Sequence, residues 1–376
     1  MENVIYNIDL GNKDSRKIAG FDLDGTLIKT KSGRLHPKDC EDWQLYDDTL
    51  KDRLMKLQYE DGYNIVIFTN QSGLEGKEQK QTDFIFKLNN IIASLDINAS
   101  YFVSTGYSEY RKPMVGFLSI LETEIGSVER KESFYCGDAC GRPAGWKWSS
   151  DDTGECVKQK KDFSTSDLLF AHNCEMKFYT PEEFYHPEGF KSDPVNLPER
   201  PYLNYTEPDP FELDLTDYRK YVILMIGLPA SGKSHLAKEI QERYETFDFK
   251  IVNRDSLGTK AKNNKLFKQL IDDGENVIVD NTNLVPKDRK FYLDYVGDDY
   301  DVVAVNVTTD PNIRTQLNHV RCFNKGKFIK SVVYNIMKKR MDLSGLEDEG
   351  YKEIVEYSCK PVFDNKDEKR VFMMYY

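Results

Sequence analysis

Phe21-Asp22-Leu23-Asp24-Gly25-Thr26 decides the fold of the first half of the chain. An apolar run, Ile18 to Phe21, ends in two aspartates one residue apart, followed by Gly-Thr. Charges that stop a buried strand at its carboxyl end mark the edge where open α/β sheets bind ligands. There one carboxylate can attack phosphorus and share Mg2+, while the other handles the leaving-group proton. Gly25 permits the tight turn that must follow.

Outward from this stretch, strand and helix patterns alternate. Leu50, Leu54 and Leu57 recur at helical spacing within Tyr46 to Glu60. The run Ile65 to Phe68 reads as a buried parallel strand and delivers Thr69 to its end. A helix is predicted over Lys77 to Leu95, a strand over Ala99 to Ser104, a loop carrying Arg111-Lys112-Pro113, a helix over Val115 to Ile125 and a short strand into Gly137-Asp138. This is the pattern of a doubly wound parallel sheet. Thr69 offers a hydroxyl to a phosphoryl oxygen, Lys112 a fixed cation, and Asp138 a further hard oxygen for Mg2+.

Pro187 to Pro210 holds six of the fourteen prolines. Each denies a backbone donor to regular structure, so an extended, semi-rigid linker is expected. The expected organisation is a first domain over 1–187, a linker over 188–212 and a second α/β domain over 213–376. In the second, Gly227-Leu228-Pro229-Ala230-Ser231-Gly232-Lys233-Ser234 fits G-x-x-x-x-G-K-[ST] between a predicted strand (Tyr221 to Ile226) and a predicted helix (Lys233 to Tyr244). Such a loop cradles a triphosphate at a helix N-terminus, with Lys233 on the β/γ-phosphates and Ser234 on Mg2+. Gly227 and Gly232 frame the loop.

Asp255, at the end of the next strand, is the candidate base for an acceptor hydroxyl. Asp280 follows the apolar run Val277 to Val279, in place for a Walker-B-like or a structural role. Arg289 can reach acceptor or donor phosphates, and Arg321 precedes a basic lid-like segment, Lys325 to Lys327. Helices are expected over Lys260 to Asp273, Pro286 to Tyr295, Pro311 to Phe323 and Ser331 to Met341, with strands over Asp301 to Val307 and Arg370 to Met374.

The first-domain motifs resemble the haloacid dehalogenase superfamily of phosphohydrolases. That resemblance implies an aspartyl-phosphate on Asp22, general acid and base work by Asp24, phosphate contacts from Thr69 and Lys112, and metal ligation by Asp138 together with Asp22 and Asp24. Taken together, the two halves resemble the bifunctional polynucleotide kinase 3′-phosphatases, phosphatase first and kinase second. The match is carried by Phe21 to Thr26, Phe68 to Gln71, Lys112-Pro113 with Gly116, Tyr135 to Pro143, Lys161 to Ser164 with Asp167, Phe170-Ala171, Asn173, and Thr180 to Phe184. In the second half it is carried by Gly227 to Ser234, Asn253 to Asp255 with Leu257-Gly258, and Asp280 to Asn283.

The resemblance implies removal of a 3′-phosphate and ATP-dependent phosphorylation of a 5′-hydroxyl on DNA ends. Arg142 would then touch the phosphate strand or brace the metal loop, and Asp162 and Asp167 would support the phosphatase site. Residues 1–17 leave no room for the N-terminal phosphopeptide-binding domain of the animal enzymes, so recruitment through phosphorylated scaffolds is not expected.

Composition narrows the partners. With 39% hydrophobic and 31% charged residues the chain is globular. No uncharged apolar run approaches the length of a membrane span, and residues 1–17 lack the apolar stretch of a signal peptide. A net charge of −11 argues against coating long nucleic acid, not against gripping a terminus. Local cations (Arg111, Lys112, Lys158, Lys160, Lys161, Lys325, Lys327, Lys330, Lys338, Lys339, Arg340) are the candidate strand contacts.

Seven cysteines without a disulfide framework point to free thiols in a reducing compartment, nuclear or cytoplasmic. Cys136 and Cys140 lack a second ligand pair for zinc. A monomer is expected. Two other readings stay open: an RNA or tRNA end-healing enzyme with the same chemistry, and a DNA-end-binding scaffold with dead sites. The second is opposed by the presence of Asp22, Asp24, Asp138, Lys233, Ser234 and Asp255.

Overall fold

The computed structural model describes residues 3–149, 157–188, 190–200, 211–216 and 218–376, with 157 and 158 described by backbone only. The chain divides into two compact units, Met1–Arg200 with Met374–Tyr376, and Pro201–Met373. Much of the expected proline linker, residues 201–210, lies outside the described residues.

The first unit is built on a six-stranded sheet in the spatial order Val4–Asn7, Ala99–Ser104, Asn64–Asn70, Ile18–Phe21, Phe134–Cys136, Lys177–Tyr179. The last five run parallel. Val4–Asn7 pairs antiparallel at the edge, a strand the polar N-terminal sequence does not announce. Ile18–Phe21 is buried at all four positions and lies between Asn64–Asn70 and Phe134–Cys136. Because a strand enclosed on both faces must be apolar throughout, the first charges fall where it leaves the sheet. The helix Glu78–Leu95 covers one face through Leu88, Ile91 and Leu95.

The second unit has five parallel strands in the order Lys250–Val252, Val277–Val279, Lys220–Ile226, Tyr300–Thr308, Glu353–Ser358. Lys220–Ile226 is central and buries its last six residues. Each such aliphatic side chain contributes about 1.5–3 kcal/mol when fully enclosed. Among the described helices none is long and apolar enough to cross a membrane.

Two sequence expectations are corrected. Tyr46 to Glu60 is helical only from Leu50, with an α segment Leu50–Met55 and a wider π turn over Lys56–Glu60. Arg370 to Met374 is not a strand: Asn365 caps a helix, Lys366–Phe372, by accepting from Glu368 N, and Glu368, Val371 and Phe372 share its buried face. The fifth strand is instead Glu353–Ser358, whose half-exposed edge position accommodates its glutamates.

Candidate active sites

In the first unit the site is assembled at the carboxyl ends of the central strands. Asp22 follows Ile18–Phe21, and its amide donates to Cys136 O at 2.9 Å. Thr69 ends the neighbouring strand and is buried. Lys112, joined to Pro113 by a cis peptide, is also buried. Its ammonium donates at 2.7 Å to Asp22 Oδ1, Asp167 Oδ1 and the Tyr135 hydroxyl. Burial alone would lower the Lys112 pKa, but Asp167 and Asp22 outweigh it and the pKa rises. The side chain is therefore a fixed cation.

Asp22, Asp138 and Asp167 offer oxygens that all lie within 4.8 Å of one another. Burial pushes Asp22 up to about 7 against the pull of Lys112, and burial with the neighbouring Asp22 and Asp167 pushes Asp138 well above the carboxylate range. Three crowded carboxylates facing one ammonium leave an excess of negative charge on hard oxygens. The residues fit a hard divalent cation. Asp167 already accepts from Lys112, from the Tyr135 hydroxyl and, through Oδ2, from Ala139 N. It buttresses the site, which would leave Asp22 and Asp138 to hold the metal. Two glycines allow this crowding. Gly25 has φ +80° and faces the Asp138 carboxylate, and a Cβ on Gly137 would lie 2.5 Å from Asp167 Cγ.

The Asp24 carboxylate is not part of this group, which corrects its expected role as a side-chain metal ligand. Its Oδ2 accepts from Gln71 Nε2 at 2.7 Å, and the same amide donates to Thr69 Oγ1 at 3.0 Å. Asp24 is half exposed, beside the buried nucleophile, as a proton carrier must be.

Of the two roles expected of Arg142, phosphate contact and bracing of the metal loop, the structure keeps only the second. Arg142 is not available to a phosphate: Nε donates to Asp162 at 2.9 Å, Nη1 to Glu182 at 3.0 Å, and the guanidinium stacks 3.6 Å from the Trp146 ring centre. It braces the loop after Asp138. Asp162 accepts from Arg142 and Cys140 and so ties down that loop. Of the predicted strand contacts here, Lys160 and Lys161 are exposed, Lys112 is committed to carboxylates, and Arg111 lies against Tyr107. The Lys158 side chain lies outside the described residues. Phe163, between Lys161 and Ser164, is 89% exposed.

In the second unit a cavity of about 740 Å³ opens over Gly232, Lys233 and Ser234 and is closed by Asn253, Asp255, Asp280 and Arg321. Gly227 (φ +147°) lies so close to Val307 O that a Cβ would meet it at 2.6 Å. Lys233 folds back onto Leu228 O (2.6 Å) and Ser231 Oγ (3.3 Å), and burial pulls its pKa down to about 8. Asp255 caps nothing: Asn253 is the N-cap of the short helix Arg254–Leu257. The Asp255 carboxylate faces the cavity and meets Arg321 Nη2 at 3.0 Å. Asp280 is buried and accepts from Asn253 Nδ2 at 2.5 Å.

Arg289 is corrected too. It is fully buried and donates to Glu349 (2.8 Å from Nε), Asn283 O and Asp342 O, so it holds the fold and reaches no phosphate.

Sequence reasoning assigned no role to Gln71, Tyr135, Glu182 or Lys87. For Lys87 a signal existed: it lies with Phe84, Leu88 and Ile91 on the apolar stripe of its helix.

Fold and sites together define a phosphohydrolase and a P-loop phosphotransferase on one chain. The sequence family described as polynucleotide kinase 3 phosphatase matches residues 17–185, and an AAA domain matches 222–343. A bifunctional polynucleotide phosphatase/kinase of Schizosaccharomyces pombe is 30% identical over 362 residues, covering 94% of this chain and 83% of that protein. An Acanthamoeba polyphaga mimivirus protein is 30% identical over 397 residues, covering 96% and 90%. The polynucleotide 3′-phosphatase ZDP of Arabidopsis thaliana is 33% identical over 206 residues, covering 50% and 27%. The chain belongs to the bifunctional polynucleotide phosphatase/kinase family, and it is an enzyme with both activities.

Proposed function

We propose that the first site removes 3′-phosphates from DNA ends and that the second phosphorylates 5′-hydroxyl ends with ATP, making broken ends fit for ligation. The observation that carries this reading is the buried Asp22–Lys112 contact at 2.7 Å, with Thr69 and Asp24 at the same strand ends, on one chain with a complete P-loop facing Asp255.

At the first site Lys112 holds Asp22 aimed outward. Its free oxygen attacks phosphorus, the ester P–O bond breaks, and Asp24 delivers a proton to the departing 3′-oxygen. Asp24 then takes a proton from water, and the hydroxide displaces phosphate from Asp22. Mg2+, held by Asp22 and Asp138, would neutralise phosphoryl charge. At the second site the loop amides and Lys233 hold the triphosphate, Ser234 would hold its Mg2+, and Asp255 takes the proton of the 5′-hydroxyl as it attacks the γ-phosphorus. None of the six described cysteines lies in a disulfide, which supports an enzyme acting in a reducing compartment, nuclear or cytoplasmic.

The test uses two labelled substrates: a 3′-phosphate oligonucleotide with Mg2+, and a 5′-hydroxyl oligonucleotide with Mg2+ and ATP, each as DNA and as RNA. Asp22→Asn should lose only the first activity and Lys233→Ala only the second, on DNA. Reaction on RNA alone would overturn the DNA assignment, and the loss of both activities in either variant would overturn the division between sites.

A further inference from the structure

Lys87 is 5% exposed, in the middle of the helix Glu78–Leu95, on the face that also carries Leu88 and Ile91. A lysine enclosed in this way is destabilising unless its charge is answered. Among the described residues no hydrogen bond from its ammonium is found, and the one carboxylate within 4 Å is Asp24, with Oδ1 at 3.9 Å. The other Asp24 oxygen is held by Gln71 at 2.7 Å. The aspartate is thus approached on one oxygen by an amide tied to Thr69, and on the other by a charge that the hydrophobic face of a helix keeps in place.

We propose that Lys87 is a positioning residue for Asp24. Together with Gln71 it keeps the carboxyl in one orientation toward the leaving oxygen, and it stabilises the carboxylate left behind as the proton departs. This rests on the first-site reading given above. In the first step the Asp22–phosphorus bond forms, the ester P–O bond breaks, and the Asp24 proton moves to the leaving oxygen. Negative charge then appears on Asp24 beside a fixed ammonium that needs no rearrangement to meet it. In the second step Asp24 takes a proton from water while hydroxide replaces Asp22 on phosphorus.

Help of this kind matters only when the leaving group needs a proton. An alkoxide such as a nucleoside 3′-oxygen does, and nitrophenolate does not. The experiment is single-turnover release of the leaving group, with enzyme in excess and Mg2+ present, from a 3′-phosphate oligonucleotide, from glycerol 2-phosphate and from p-nitrophenyl phosphate. It compares wild-type protein with Lys87→Met and Lys87→Arg.

Lys87→Met is expected to slow release from both alkyl esters at least tenfold while nitrophenolate release stays within about twofold. Lys87→Arg should recover part of the loss. Equal losses on all three substrates would mean that Lys87 only holds the fold, and no loss on any would also overturn the proposal. A raised KM for the oligonucleotide alone, with an unchanged rate at saturation, would make Lys87 a strand contact and overturn it as well. Asp22→Asn must abolish release from all three. If wild-type protein leaves the oligonucleotide untouched, the substrate assignment fails, while the role of Lys87 is still decided on glycerol 2-phosphate.

Discussion

Arg321 Nη2 stands 3.0 Å from Asp255 Oδ2, so the arginine at the rim of the P-loop cavity engages the carboxylate that must accept the acceptor's proton. Arg321 is three-quarters buried and Asp255 two-thirds exposed, so the arginine is the fixed partner. A triphosphate in the cavity competes for the guanidinium with more charge than one carboxylate, and planar bidentate pairing favours phosphate. Nucleotide binding should therefore free Asp255. By titration calorimetry, a non-hydrolysable ATP analogue should tighten binding of a 5′-hydroxyl oligonucleotide severalfold in wild-type protein and hardly at all in Arg321→Ala. The same variant should lose at least tenfold in kinase kcat and nothing in phosphatase activity. Oligonucleotide affinity that ignores the nucleotide in wild-type protein would rule out the competition.

Arg142 gives a prediction of the opposite kind, about stability. Its guanidinium answers Asp162 and Glu182, and all three side chains are largely enclosed. Removing one partner of a buried ion pair strands the others, at about 3–5 kcal/mol. Arg142→Leu should lower the denaturation midpoint of the first unit accordingly. Trp43, Trp146 and Trp148 all lie in that unit, so tryptophan fluorescence reports it selectively. Where Arg142→Leu remains folded at low temperature, KM for p-nitrophenyl phosphate should change less than about threefold. A tenfold rise in KM with unchanged stability would restore Arg142 as a phosphate ligand.

Phe163 stands 89% exposed, two residues after Lys161 and beside the loop that Asp162 secures. An aromatic ring held in water next to lysines suits a nucleobase, because stacking is worth about 1–3 kcal/mol per base. Phe163→Ala, and separately Lys160→Gln with Lys161→Gln, should raise KM for a 3′-phosphate oligonucleotide about tenfold and leave p-nitrophenyl phosphate unaffected. Equal changes on both substrates would place these residues in support of the catalytic loop.

The groups that could be read from sequence are those whose meaning is local. Asp22 and Asp24 break an apolar strand within three residues, and Gly227 to Ser234 carries its geometry in its own glycines. Partners brought from far along the chain were not legible. Arg289 looks like a solvated arginine in Pro286–Leu293, and only Glu349 and the carbonyls of Asn283 and Asp342 make it a core residue. Asp167 is reached only through the family resemblance and not through local spacing; Lys112 and Ala139 N hold it in the carboxylate group. At the C-terminus, Val371, Phe372 and Met374 gave an apolar cluster with no clear period. The Asn365 cap, three residues before Glu368, was the better guide.

His319 supplies a test in pH. It lies on the helix Pro311–Lys325 of the second unit, half-buried with its ring 5.0 Å from that of Phe328, and desolvation pushes its pKa from 6.5 down to about 3. Between those values the unfolded chain binds a proton that the folded protein refuses. Stability must therefore fall as pH drops below 6.5, and it is untouched by this group above that value. One pH unit below, at pH 5.5, the loss is about 1 kcal/mol after allowance for solvent screening. His319→Leu keeps an apolar side chain against Phe328 and removes the titration. By calorimetry, the transition of the second unit should fall further between pH 7.5 and 5.5 in wild-type protein than in His319→Leu. Parallel shifts in the two proteins would mean that the folded protein takes up this proton as readily as the unfolded chain.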